Sequence, residues 1–276
     1  MNKKKLLNLY GLKWNPFEQS IPLEALITTP QIDSFCFRIE NLVMDGGFGM
    51  ITGNPGCGKS VALRILASRL EKLKEIKVGV LTRPQSVPAD FYREIGDIFG
   101  VTLKGSNRWG GHKSLRKEWN DHIRSTLLRP VLLIDEAQEM LPIVLNELRM
   151  LSSDQFDSEV ILTVVFCGDQ RLPEKFKEES LIPLGSRIRS RLTLEGVSKE
   201  NLINLLNESM GRAGNKNLIN QELINILAEH SAGNFRVMMI MAEHLLLEAA
   251  KKELPQLNET LFFEVYGQQK KIFKKK

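Results

Sequence analysis

The 276-residue sequence is short of cysteine, histidine and long apolar runs. Its three cysteines, Cys36, Cys57 and Cys167, are odd in number and form no CxxC pair, which argues against a disulfide framework or a thiolate zinc site and for a reducing compartment. The four histidines (His112, His122, His230 and His244) lack metal-ligand spacing. No apolar stretch approaches the ~20 residues of a membrane span. The strongest, Val160 to Cys167, has eight residues, the length of a buried strand. The chain begins Met1-Asn-Lys-Lys-Lys, but Asn8 interrupts Leu6–Leu9 and no signal-peptide apolar region follows. A cytoplasmic protein without a membrane partner is therefore expected.

A net charge of +5 and a pI near 9.0 invite an anionic partner, but the excess is unevenly placed. Residues 1–13 carry four lysines and residues 270–276 carry five, with no acid in either end, so the body between them stands at −4. Within that acidic body, Val101 to Lys117 holds Lys104, Arg108, Lys113, Arg116 and Lys117 and no acid. Gly105, Gly110 and Gly111 suggest a mobile loop over 101–113, and Trp109 offers a stacking surface. A basic, glycine-rich, aromatic stretch suits a nucleic-acid backbone; a solvated loop with Trp109 tucked into the core would have the same composition.

Periodicity orders the chain as α/β followed by all-α. Thr29-Pro30 opens an amphipathic helix, with Thr29 as N-cap and Gly46-Gly47 as its stop. Strands are expected at 48–52, 76–81, 131–134, 160–166 and 192–194, and helices at 61–73, 88–99, 115–127 and 145–151. Beyond 194 no strand signal recurs; helices are expected over about 198–212, 220–230 and 235–252, with a fourth from Asn258. The expected domains are residues 1–195, a helical region 196–260 and a basic tail 261–276.

Two motifs carry chemistry. Gly53-Asn54-Pro55-Gly56-Cys57-Gly58-Lys59-Ser60 matches GxxxxGK[ST], between an expected strand and an expected helix that Val61 continues. The spacing lets successive amides curl around phosphate oxygens while a helix N-terminus points at them. Lys59 would reach the β- and γ-phosphates of ATP, and Ser60 would ligate Mg²⁺. The second motif is Val131-Leu-Leu-Ile134-Asp135-Glu136. A buried strand ending there would bring Asp135 to Mg²⁺ through water and Glu136 to the attacking water.

These motifs belong to an ordered series that runs from Tyr10-Gly-Leu-Lys-Trp-Asn15-Pro16-Phe17 through the phosphate loop to Asp135-Glu136-Ala137-Gln138. Leu145-Asn-Glu-Leu148-Arg149-Met-Leu151, Gly168-Asp169-Gln-Arg171-Leu172, Ser186-Arg187-Ile188 and Gly233-Asn-Phe-Arg236 follow. On that series the chain resembles the AAA+ ATPases from Tyr10 to about Ala250. Within them it is similar to the family that holds the ExeA-type secretion ATPases and the TniB/TnsC-type transposition ATPases.

The resemblance implies a P-loop AAA+ domain, a parallel sheet flanked by helices, followed by a small all-α lid. It implies that Arg187 is an arginine finger acting in trans within a homo-oligomer, ring or filament, and that Arg236 is a lid arginine acting within the subunit. Asn15, Pro16 and Phe17 would border the adenine, although an apolar staple explains Phe17 as well. Thr82 and Arg83, with the stretch holding Lys104, Arg108, Trp109 and Lys113, would face double-stranded DNA, and a transposase would be the partner. The alternatives are a secretion- or envelope-associated ATPase and a helicase loader; the chain ends soon after the lid without a span, which weakens the secretion reading. One departure stands out at the end of the fourth strand. The neutral polar group that usually orients the lytic water falls at Gly168 or Asp169, and a carboxylate there would crowd Asp135 and Glu136. Slow hydrolysis, with ATP as an assembly switch, is the corresponding expectation.

Overall fold

Val131–Ile134 and Val164–Cys167 are exposed by no more than 1%, and the two runs become the inner strands of a parallel sheet. The structure, a computed structural model, describes residues 2–101, 108–126, 128–154 and 159–267. Strands β1 (Gly47–Gly53), β2 (Ile76–Leu81), β3 (Arg129–Ile134), β4 (Ser153–Asp154), β5 (Glu159–Val160), β6 (Thr163–Gly168) and β7 (Ile188–Leu194) occur in chain order. Five of them form one sheet in the order β2-β3-β6-β1-β7, all parallel, while β4 and β5 pair antiparallel apart from it. The edge strand β7 alternates buried Ile188, Ser190, Leu192 and Leu194 with exposed Arg189, Arg191 and Thr193, and this charge discourages edge-to-edge pairing.

The chain divides into two compact units. The sheet unit holds Thr28–Asn54 and Gly58–Leu194, with helices α2 (Pro30–Asp45), α3 (Lys59–Leu70), α4 (Pro88–Phe99), α5 (Arg108–Thr126), α6 (Pro142–Ser152), α7 (Arg171–Lys175) and α8 (Ile182–Gly185). Its core includes Phe48, Phe91, Leu132, Phe166 and Leu148, with the Phe48 and Phe166 rings stacked at 6.0 Å. Arg69 on α3 donates to both Glu40 oxygens (2.6 and 3.1 Å) and to Asp33 (3.1 Å), which fastens α3 to α2.

Thr29 Oγ1 accepts from the Ile32 amide at 3.3 Å and Pro30 fills the first helical position of α2, as the sequence predicts. Thr29→Ala should lower stability by about 1 kcal/mol, read as a lower urea midpoint at unchanged slope.

The second unit holds the residues up to Ile27, the loop tip Pro55–Cys57 and the residues from Glu195 onward. It contains α1 (Lys3–Tyr10), α9 (Lys199–Ala213), α10 (Gln221–His230), α11 (Phe235–Lys251) and α12 (Glu259–Gly267). The sheet unit ends at Leu194, and residues 1–27 group with the helical unit. Leu6, Tyr10, Leu12 and Phe17 are buried in the helical core, Tyr10 Oη donates to Leu254 O (3.1 Å), and the Lys13 amide donates to Ala213 O (2.8 Å). The helical region also passes residue 260, because Leu261 and Phe262 of α12 complete that core; residues 268–276 of the expected tail lie outside the described residues.

Three further expectations need correction. The strand expected over 160–166 begins at Thr163, with Val160 in the separate β4–β5 pair. The helix expected over 61–73 spans 59–70. The loop expected over 101–113 is helical from Arg108, so Gly110 and Gly111 are not part of a mobile loop. Gly111 is buried, and a Cβ there would sit 3.7 Å from the Tyr92 ring. Packing of α5 on α4 overrides the low helix propensity of glycine at this point.

Candidate nucleotide site

Strands β3, β6 and β1 are neighbours and run parallel, so their C-terminal ends lie side by side. In a doubly wound sheet ligands gather at such strand ends, where the chain order reverses. At the C-terminal ends of these three strands stand Asp135-Glu136, Gly168-Asp169 and the phosphate loop, in that spatial order.

The loop runs from Gly53 at the end of β1 to Lys59, the first residue of α3. Lys59 is 8% exposed, and its ammonium donates to Gly53 O (2.9 Å) and Asn54 O (3.1 Å). Gly56 has φ +84° and Gly58 has φ +96°, a left-handed region that favours glycine. Cys57 is half-buried, and Val61 continues α3. Among the described residues no acceptor takes the amides of Gly56, Cys57 or Gly58, so the loop retains donors for an anion.

Ser60 Oγ donates to Asp135 Oδ2 at 3.3 Å, and the Glu136 amide donates to Asp135 Oδ1 at 2.9 Å. A hydroxyl and a carboxylate this close are hard oxygen donors that fit Mg²⁺, which commonly takes one or two protein ligands beside substrate phosphates. Beneath them Cys167 is fully buried, and burial together with the neighbouring Asp135 pushes its thiol up, so it stays protonated and hydrogen-bonded to that carboxylate.

Glu136 adopts φ 52°, a strained conformation for a residue with a side chain. Its Oε2 accepts from Gln138 Nε2 at 2.5 Å, and Gln138 Oε1 accepts the Asp169 amide at 3.1 Å. Gln138 thus bridges the ends of β3 and β6. The Asp169 carboxylate is taken by Arg171, whose Nε lies 2.9 and 3.1 Å from its two oxygens and whose amide donates to Oδ1 at 2.9 Å. These bonds hold the Asp169 carboxyl below the usual carboxylate range. Arg171 also reaches Glu139 at 2.7 Å. The crowding of carboxylates expected at this strand end is therefore compensated by Arg171, and the electrostatic reason for slow hydrolysis falls away. Sequence reasoning assigned no role to Gln138 or Arg171; both stand in the quoted motifs, but the Gln138–Asp169 and Arg171–Glu139 bonds depend on the β3–β6 adjacency.

The other expected residues are dispersed. Arg187 precedes β7, is partly buried and donates to Ser153 Oγ at 3.1 Å. Arg236 is exposed in the first turn of α11, whose N-cap Asn234 accepts from the Val237 amide. Asn234 also donates to Pro55 O at 3.1 Å, and a Cβ on Gly56 would meet its Oδ1 at 2.1 Å, so this helix start is joined to the loop tip within the second unit. Asn15 is 4% exposed and accepts the Phe17 amide at 3.1 Å, while Pro16 and Phe17 are buried with the helical unit. Arg83 is exposed after β2, and Lys113 is exposed on α5. Arg108 and Trp109 open α5; Lys104 lies outside the described residues. Among the described residues no helix is long and apolar enough to cross a membrane.

This sheet order, the loop and the paired acids define the P-loop fold of the AAA+ ATPases, with a helical C-terminal region. Residues 43–176 match the family described as AAA domain. The chain is 29% identical over 197 residues to General secretion pathway protein A of Aeromonas hydrophila, covering 70% of this chain and 35% of that protein. It thus spans about a third of that relative's length. Among solved structures, Cdc6p of Pyrobaculum aerophilum superposes with a TM-score of 0.71 at 14% identity, covering 88% of this chain and 67% of the other. The Aeropyrum pernix ORC1 protein, solved in complex with DNA, gives 0.63 at 14% identity, covering 87% and 66%. At such identities the likeness is one of fold.

Proposed function

We propose that the chain binds and hydrolyses ATP with Mg²⁺, assembles in its ATP form on duplex DNA, and presents that DNA to a transposase. The observation that carries the ATP reading is the convergence of Lys59, Ser60, Asp135 and Glu136 at the ends of β1 and β3, the two strands that flank β6. Lys59 and the loop amides would hold the β- and γ-phosphates, and Ser60 and Asp135 would hold Mg²⁺. Bound Mg²⁺ supplies charge neutralisation between the phosphates. Glu136 would take a proton from the attacking water as the γ-phosphoryl is transferred to it. Arg187 of one subunit would complete the site of the next, Arg236 would act within the subunit, and Asn15, Pro16 and Phe17 would border the adenine.

For DNA, support comes from exposed Arg83 and from exposed Lys113 and Lys117 on α5, within a stretch free of acids. Such contacts follow a phosphate backbone without reading sequence and weaken steeply with salt. Fluorescence anisotropy of a labelled random-sequence duplex tests this. Binding should appear with ATP and Mg²⁺ at low salt and fall at least ~10-fold between about 50 and 200 mM salt. Lys113→Glu together with Arg83→Glu should abolish it. Absence of binding at low salt with ATP would sink the DNA reading. It would then favour the second reading, a role in a secretion apparatus, for which the likeness to General secretion pathway protein A is the supporting observation. A cytoplasmic location accompanies the first reading.

A further inference from the structure

The Glu136 carboxylate is held by Gln138 and not by a residue at the end of β6. Two residues follow the apolar run of β6, and neither offers a free polar side chain to the site. Gly168 has none, and a Cβ there would stand 2.5 Å from Gln138 Oε1, so this backbone position is kept clear for the Gln138 amide. The Asp169 carboxylate is engaged through both oxygens by Arg171.

Gln138 fills the space instead. It is 6% exposed, and its backbone carbonyl accepts from Lys175 Nζ at 2.7 Å, with the same ammonium holding Met140 O. The turn Ala137–Glu139 is thereby clamped from α7. The amide orientation is fixed by chemistry. Only an oxygen can accept the Asp169 N–H, so Oε1 faces β6 and Nε2 is left to donate to Glu136. A buried amide satisfied at both ends has one arrangement, and it ties the Glu136 carboxylate to the end of β6.

We infer that Gln138 is a positioning residue for ATP hydrolysis: it sets the direction of the Glu136 carboxylate. This rests on the hydrolytic reading of the site. Gln138 touches no phosphate in this account, so it belongs to turnover and not to nucleotide affinity.

The test compares steady-state ATP hydrolysis of the full chain with that of Gln138→Ala, Gln138→Glu and Glu136→Gln, with thermal melting as a control. Gln138→Ala should lower kcat by at least ~10-fold with KM for ATP within about two-fold of the parent. Gln138→Glu should be equally slow at about pH 8 and recover relative to the parent toward about pH 6, because the introduced carboxyl can donate to Glu136 only when protonated, and the adjacent negative charge raises its pKa. A purely structural role would not produce that pH dependence. If the parent hydrolyses ATP and Glu136→Gln does not, while Gln138→Ala retains kcat within about two-fold, this inference alone is overturned. A flat pH ratio for Gln138→Glu overturns it as well. A parent chain without turnover sinks the hydrolytic reading together with it.

Discussion

Glu136→Gln should lower ATP turnover by about 10²–10⁴-fold while leaving ATP affinity within about two-fold of the parent. The substitution keeps the shape of the side chain and its ability to accept from Gln138, but removes the carboxylate proposed as the base at the end of β3. In the proposed mechanism phosphate and metal are held by other groups, Lys59 and Ser60 with Asp135, so their binding should survive. Single-turnover hydrolysis and equilibrium titration with the same protein separate the two effects. Equal loss of binding and turnover would show that Glu136 holds the site together and does not serve as its base.

Lys59→Ala carries the second large effect, and it should fall on binding. Lys59 is 8% exposed and its ammonium is held by two loop carbonyls, so it lies within the curve of the loop and not out in solvent. If Lys59 makes the two charge-assisted phosphate contacts proposed for it, each worth about 1.5–3 kcal/mol, losing them should weaken ATP by at least ~100-fold. The carbonyls of Gly53 and Asn54 would also lose their donor. Isothermal titration with ATP and Mg²⁺ reads the change directly; an affinity within about three-fold of the parent would remove Lys59 from the phosphate site.

Much of the sheet unit was legible because its signals are local. Four consecutive apolar residues before Asp135 mark an inner strand, and the Thr29-Pro30 pair marks a helix start whose cap bond is present in the structure. The GxxxxGK[ST] spacing likewise announces its own turn and helix. What escaped depends on neighbours that sequence order does not reveal. Residues 1–13 read as a lysine-rich end, yet Leu6 and Tyr10 recur four apart and are buried by helices about two hundred residues later in the chain, a partnership that a one-turn pattern cannot specify. Gly110-Gly111 read as loop because the penalty for glycine in a helix is local, whereas the packing of Gly111 on Tyr92 is not. Arg171 pairs locally with Asp169, but its bond to Glu139 crosses from β6 to β3. The bond between Gln138 and Asp169 crosses those same two strand ends.

Titration of the parent chain with ATP, in the presence of Mg²⁺ and then of a chelator, tests the central claim most directly. One site per chain is expected, with Mg²⁺ improving affinity at least ~10-fold through Ser60 and Asp135, an advantage lost in Asp135→Ala. Failure to bind ATP at millimolar concentration with Mg²⁺ present, or binding with no Mg²⁺ dependence, would contradict it.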